Sequence, residues 1–230
     1  MVLPAACLFD LDGLLLDTEP LHAEAWQQAA SRFGRPLAAP ELLALRGRRR
    51  LDCADQVLAW IAASGLATPS REQLLAVRQP IAETLLIQAP PMPGAAELVG
   101  RCQARGIPMA LATSSSKAAV ELKAGPHPWL GQIQERVHGD DPELIAGKPA
   151  PDVFLLAARR LGVNSRDCWA FEDSPAGAQA ALAAGCRVYV LPPQHLSEGA
   201  GADGATARAA HYPGIQHFLT SLEEMLDRVG

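Results

Sequence analysis

This chain predicts an α/β fold: a mainly parallel sheet with helices on both faces, interrupted by an all-helical insertion. Three observations carry that expectation. A short apolar run at residues 5–11 reads as a buried strand and ends in Asp-x-Asp-Gly. Residues 18–88 then show helical periodicity alone. From residue 95 onward, apolar strands and amphipathic helices alternate, as parallel strands joined by helical crossovers require.

Taken in order, the first strand is followed by a helical stretch in which Trp26, Ala29, Ala30 and Phe33 recur at helical spacing. Val57, Leu58 and Ile61 continue the pattern, as do Leu74, Leu75, Leu85 and Leu86. Pro36, Pro40, Gly65 and Pro69 punctuate it. The run Ala89-Pro90-Pro91-Met92-Pro93-Gly94 reads as a linker returning from an inserted domain, so the expected division is 1–16 with 90–230, and 17–89 between them. Helices at 95–104, 153–161 and 176–184 lead to strands at 108–112, 168–171 and 187–191. Pro151 and Asp152 suit a first helical turn, where proline lacks only a hydrogen bond it could not make and an acid meets the positive helix end. Gly106, Gly162 and Gly185 sit where helices end and a left-handed residue is easiest. Residues 197–210, rich in Gly and Ala, are expected to form a loop before a last helix at 216–229.

With 230 residues, 49% hydrophobic and 20% charged, the chain can bury a sizeable core. The net charge of -5 gives no general attraction to nucleic acid or acidic membrane, and neither is expected as a partner. There is no basic segment ahead of a long apolar run at the start, so no signal peptide is expected. No run approaches the ~20 apolar residues of a membrane helix. The five cysteines are widely spaced without a Cys-x-x-Cys pair, unlike a zinc site or disulfide framework. A cytoplasmic protein with reduced thiols is expected, as a monomer or weak oligomer.

Four segments end strands or follow loops, where ligands bind in such sheets. Asp10 and Asp12 are two apart, so on a strand both carboxylates face one way. So close a pair needs a cation or a shared proton. Thr113 and Ser114, in a Ser-rich strand end running into a helix start, offer hydroxyl and N–H groups to phosphate oxygens. Lys148 adds a fixed positive charge, and Glu172 with Asp173 adds oxygen ligands for a hard cation. Any one of these is more often a solvated turn, a surface lysine or a helix cap. Their order along an alternating chain is what points to one site.

With Asp10-Leu11-Asp12-Gly13, Thr113-Ser114, Lys148 and Glu172-Asp173 in place, the sequence resembles the haloacid dehalogenase-like hydrolase superfamily over essentially its whole length. The resemblance implies a Rossmann-like core with a small inserted helical cap, in the β-phosphoglucomutase-like branch. The runs 9–19, Gly106-Ile107-Pro108, Leu122-Lys123 and Gly139-Asp140-Asp141-Pro142-Glu143 are similar to pseudouridine-5′-phosphatase and glycerol-3-phosphatase-like proteins. By this resemblance Asp10 is the nucleophile and Asp12 the general acid and base. Mg²⁺ lies among the Asp10 and Asp173 carboxylates and the Asp12 carbonyl, with Glu172 touching it or orienting its waters. Thr113, Ser114 and Lys148 bind phosphate oxygens, and the substrate is a small phosphate ester.

Thr18, His22, Arg46 and Arg50 match cap residues of β-phosphoglucomutase that position the acid/base group or the substrate's distal phosphate, and Arg78 falls near its second-phosphate lysine. As an exposed helix residue and a solvated loop, respectively, His22 and the arginine run 46–50 have plainer readings. A phosphomutase shares the phosphoenzyme and is the nearest alternative. A non-catalytic regulator would be expected to lack one of Asp10, Asp12, Lys148 or Asp173. The Gly-x-Gly-x-x-Gly match at 199–204 begins eight residues beyond the nearest expected strand and is read as chance.

Overall fold

A computed structural model describes residues 3–45, 50–193 and 202–230. It divides into two compact units, Met1–Asp17 with Pro90–Gly230, and Thr18–Ala89.

The first unit is built on a parallel sheet. Its strands are β1 (Ala6–Phe9), β2 (Met109–Ala112), β3 (Glu135–Val137), β4 (Cys168–Glu172), β5 (Arg187–Val190) and β6 (His217–Phe218). They lie in the order β3-β2-β1-β4-β5-β6. β1 is central, with Phe9 level with Leu111 of β2 and Phe171 of β4. Four consecutive buried residues in each of β1 and β2 reflect a sheet covered on both faces.

One face carries Leu8, Ala110, Ala170 and Val188 against Phe154, Ala157, Ala178 and Ala181 of helices α7 (Asp152–Arg160) and α8 (Pro175–Ala183). Small residues on both sides let the helices come close to the strands. Alternate residues face the other way and form an aromatic row. Phe9 stacks on Phe171 at 4.9 Å, Phe171 on Tyr189 at 5.4 Å and Tyr189 on His217 at 5.1 Å. Each fully buried aromatic ring stabilises the sheet by about 1.5–3 kcal/mol through burial.

The chain leaves this unit through a tight loop after β1, where Gly13 takes φ +82° and donates to the Leu16 carbonyl. Leu16 bridges antiparallel to Pro91, while Asp17 N–H and Met92 N–H bond the Pro90 and Leu15 carbonyls. The departing and returning strands of chain are thus fastened side by side. Helix α5 (Ala95–Ala104) leads to β2, and α6 (Lys117–Ala124) follows it.

The second unit holds α1 (Glu19–Arg32), α2 (Ala39–Leu45), α3 (Arg50–Ala63) and α4 (Arg71–Leu86). Trp26, Ala29, Ala30, Leu45, Val57, Ile61 and Leu74 form its core. Helix α4 opens with a reciprocal cap, Ser70 Oγ accepting from Gln73 N–H and Gln73 Oε1 from Ser70 N–H.

Two expectations are corrected at the C-terminal end. The expected loop at 197–210 contains a helix, Ala202–His211, favoured by its alanines. The expected last helix at 216–229 is instead β6, then a 3₁₀ turn, Leu222–Met225, and one short turn, Leu226–Val229. His217 and Phe218 extend the sheet beside β5, which the helical periodicity of the segment concealed. β3 was not expected. The first three residues of the Gly-x-Gly-x-x-Gly match, 199–201, lie outside the described residues. All five cysteines are buried free thiols. Among the described residues, no helix is long and apolar enough to cross a membrane.

Candidate active site

The strand order reverses between β1 and β4, the place where an open parallel sheet leaves a crevice at its carboxyl edge. Asp10 follows β1, Glu172 ends β4, Asp173 comes next, and Thr113 follows β2 on the other side of β1. Strand order thus brings together residues more than 160 positions apart.

Asp10 is 6% exposed, and its N–H donates to the Phe171 carbonyl at 3.1 Å, tying the end of β1 to β4. Lys148 Nζ donates to Asp10 Oδ1 at 2.6 Å and to Glu172 Oε1 at 2.5 Å. Oxygen atoms of Asp10, Glu172 and Asp173 all lie within 4.8 Å of one another. Burial raises the Asp10 pKa to about 7, against the pull of Lys148, and repulsion from Glu172 and Asp12 adds to the rise. Burial alone would lower the Lys148 pKa, but the facing Asp10 and Glu172 carboxylates raise it. Lys148 is therefore a permanent cation.

Glu172 is fully buried, and its second oxygen accepts from Ser174 Oγ at 3.1 Å. That Oγ in turn accepts from Gly177 N–H at the start of α8. A Cβ on Gly177 would stand 1.9 Å from Glu172 Oε1, so glycine makes room for the carboxylate beneath the helix. Glycine is required in the same way at Gly13, whose added Cβ would lie 2.2 Å from Asp173 Oδ2. Tyr212 O–H donates to the Asp173 carbonyl at 2.5 Å and fixes the backbone there.

Asp12 belongs to a second charged group. Lys123 Nζ, on α6, donates to Asp12 Oδ1 at 2.6 Å and Oδ2 at 2.5 Å. Ser115 Oγ donates to Asp12 Oδ2 at 2.7 Å and accepts from Lys123 Nζ at 2.9 Å. Thr113 is buried, bonded through its N–H to the Val137 carbonyl, and its Oγ1 accepts from Ser115 N–H at 3.1 Å. Ser114 is exposed. The Ser114 carbonyl passes so close to Gly139 that a Cβ there would meet it at 2.1 Å. The adjacent acids 140 and 141 serve the loop leading to Lys148: Asp140 accepts from Lys117 N–H, and Asp141 forms a two-pronged pair with Arg160.

Three buried carboxylates stand against one lysine in the first group, a donor set of hard oxygens suited to a divalent cation. The Asp12 carboxylate is turned to Lys123 and Ser115 and is not among these three.

Thr18, His22, Arg50 and Arg78 lie in the helical unit. Thr18 is fully buried, and its Oγ1 has no hydrogen-bond partner among the described residues. Arg78 is 5% exposed and donates through Nη2 to His22 Nδ1 at 2.8 Å. A guanidinium carries no acceptor, so the imidazole accepts at Nδ1. The Arg78 guanidinium lies over the Trp26 ring at 4.8 Å, and its Nε has no partner among the described residues. Burial lowers its pKa to about 10, and repulsion from Arg50 adds to this. Exposed Arg50 donates to Gln79 at 3.1 Å. Arg46 lies outside the described residues.

Sequence reasoning gave no role to Lys123, Ser115 or Tyr212. Lys123 left two signals: it belongs to the Leu122-Lys123 run that carries part of the family resemblance, and it follows Val120 by three residues, on the buried face of α6.

A profile of the haloacid dehalogenase-like hydrolases matches residues 4–185. The Drosophila melanogaster protein named "Probable pseudouridine-5'-phosphatase" is 38% identical over 84% of this chain and 83% of its own. Arabidopsis thaliana (DL)-glycerol-3-phosphatase 1, mitochondrial, is 34% identical over 83% of this chain, which spans only 65% of that relative. The crystal structure of a HAD family hydrolase from Deinococcus radiodurans R1, solved with bound phosphate and sodium, superposes with a TM-score of 0.75. It is 28% identical, and the match covers 98% of this chain and 96% of that one.

Proposed function

Since this chain belongs to the haloacid dehalogenase-like hydrolases, we propose that it is a Mg²⁺-dependent phosphatase of small phosphate monoesters that works through an aspartyl-phosphate on Asp10. The observation that carries the reading is the Asp10 carboxylate, buried at the end of the central strand with Lys148, Glu172 and Asp173 around it.

In the first step an Asp10 oxygen attacks phosphorus, and the bond to the alcohol oxygen breaks as Asp12 donates its proton there. In the second, Asp12 takes a proton from water, the water oxygen bonds phosphorus, and the Asp10–phosphorus bond breaks to release phosphate. Thr113, Ser114 and Lys148 hold the other phosphate oxygens and the charge spread over them. Lys148 also keeps Asp10 and Glu172 oriented. The Asp10 and Asp173 carboxylates and the Asp12 carbonyl would hold Mg²⁺, with Glu172 fixing Lys148 and the floor of the site. The bound ion would offset the repulsion between an anionic nucleophile and an anionic ester. Thr18, His22, Arg46 and Arg50 are proposed to choose the substrate. Arg78, a buried cation with no carboxylate partner among the described residues, favours an anionic group there.

The test is a panel of sugar phosphates, glycerol phosphate, pseudouridine phosphate and phosphoglycolate, assayed for phosphate release with Mg²⁺ and with chelator. Release that chelator abolishes and Mg²⁺ restores is expected. Release by Asp10→Asn, or release indifferent to chelator, refutes the mechanism. β-Glucose 1-phosphate converted to glucose 6-phosphate in place of free phosphate would favour the mutase.

A further inference from the structure

We propose that Lys123, acting with Ser115, is the positioning residue for Asp12: it fixes the carboxylate in one rotamer for both proton transfers. The inference rests on the phosphatase reading and extends it to a residue outside the motifs.

Lys123 is 2% exposed, on the inner face of α6, where an apolar side chain would fill the same space. A buried ion pair adds little net stability over well-packed apolar residues, so stability alone gives weak reason for a lysine there. Its ammonium grips both oxygens of one carboxylate, and that carboxylate is Asp12. Ser115 closes a triangle, donating to Asp12 while accepting from Lys123. The triangle joins the loop after β1, the loop after β2 and α6, so the Asp12 side chain is held by two elements besides its own. The Asp12 side chain is 22% exposed, against 2% for Lys123, so the lysine lies behind the carboxylate and solvent on its open side.

The chemistry makes such a hold useful. Asp12 must present an oxygen to the leaving alcohol and then to water at the same phosphorus, and a loosely placed group would lose much of the gain from orientation. The two lysines thereby divide the work. Lys148 is bonded to the nucleophile and Lys123 to the proton carrier.

The experiment compares wild type, Lys123→Met and Ser115→Ala on two esters with Mg²⁺ present. One is glycerol phosphate, or whichever sugar phosphate of the panel turns over fastest; the other is p-nitrophenyl phosphate. The parameter read is kcat/KM, which reports events up to release of the first product. An alkoxide needs Asp12's proton to leave, whereas p-nitrophenolate leaves without it. Lys123→Met is expected to lower kcat/KM on the alkyl ester by about 100-fold and on the aryl ester by less than about fivefold, in line with the usual worth of general acid catalysis. Ser115→Ala should show the same bias at smaller size. It removes one hydrogen bond to Asp12 and leaves the Lys123–Asp12 pair in place, so it tests the idea even if Lys123→Met folds poorly. Equal losses on both esters, or none, overturn the positioning role while wild-type activity upholds the phosphatase. A wild type inert toward every ester overturns both.

Discussion

Asp10→Asn replaces a carboxyl by an amide of nearly the same shape where the charge, rather than the shape, is costly. In the metal-free protein, burial raises this carboxyl from its ordinary 3.8 to about 7. At about 1.36 kcal/mol per tenfold change in proton affinity, that rise corresponds to roughly 4 kcal/mol. The folded chain holds the proton more tightly than the unfolded one. The stabilising contribution is therefore complete below about pH 4, is lost as pH climbs to about 7, and stays lost above. Asparagine undergoes no such loss. By pH 5.5 about half of the roughly 4 kcal/mol has gone, so between pH 5.5 and 8 wild type should lose about 2 kcal/mol relative to Asp10→Asn. Lys148 remains protonated throughout and does not disturb the comparison, because its pKa is shifted upward from 10.5.

For a chain of this length, about 2 kcal/mol moves a melting midpoint by roughly 4–8 °C. Melting followed by circular dichroism, in chelator, at pH 5.5, 6.5, 7.5 and 8, measures the gap directly. The variant's advantage should widen with pH. Parallel curves, or a gap that narrows toward pH 8, would refute the claim that Asp10 is held in an environment hostile to its charge. Adding Mg²⁺ should raise the wild-type midpoint at pH 8 and move the variant's much less, since a neutral amide is a poorer partner for the ion.

Three further changes probe other parts of the structure. Lys148→Met leaves two buried carboxylates without their cation and should cost about 3–5 kcal/mol in urea titrations at pH 8, and less at pH 5.5, where Asp10 keeps its proton. A cost that is the same at both pH values would contradict the pairing. Gly13→Ala forces a side chain onto a residue at φ +82° and drives its Cβ to 2.2 Å from Asp173 Oδ2. It should raise the Mg²⁺ concentration needed for half-maximal activity at least about tenfold, about 1.4 kcal/mol, and an unchanged activation curve would count against Asp173 as a ligand. Arg78→Met exchanges a desolvated cation, unpartnered at Nε, for an apolar chain over Trp26. Stability should hold steady or rise by about 1–2 kcal/mol while kcat/KM falls; a large loss of stability would show that the arginine serves the fold.

Much of the site was legible because its groups sit where strands end, and strand ends are visible as apolar runs that stop at a polar residue. Asp10, Thr113, Glu172 and Asp173 were found in that way. β3 stayed hidden because Glu-Arg-Val has neither an apolar run nor enough length to alternate. β6 is two residues long and exists through pairing with β5, a contact that no local pattern encodes. Lys123 was harder still. Its partner lies 111 positions earlier, and only the rotation of α6 about its axis, set by Val120 packing inward, aims the lysine at Asp12. Tyr212 reaches the Asp173 carbonyl from just beyond the Ala202–His211 helix, between the expected loop at 197–210 and the expected helix at 216–229, where the sequence pattern predicted no element.

Asp10 and Asp12, read as a pair of like charges needing a cation or a shared proton, do repel one another, but the structure gives each its own ammonium partner. A strand directs residues two apart to the same side, but β1 ends at Phe9 and the chain turns at Gly13, so Asp12 already belongs to the loop. Each carboxylate then meets its own lysine, Lys148 for Asp10 and Lys123 for Asp12. On the proposed mechanism, having separate partners matters for the chemistry. A nucleophile must stay ionised while attacking, whereas a proton carrier must be able to gain and lose a proton beside it. Two carboxylates sharing one partner would couple these demands, since ionising either would hinder the other. Different lysines, on different elements, let the two residues have different environments within one short turn of chain.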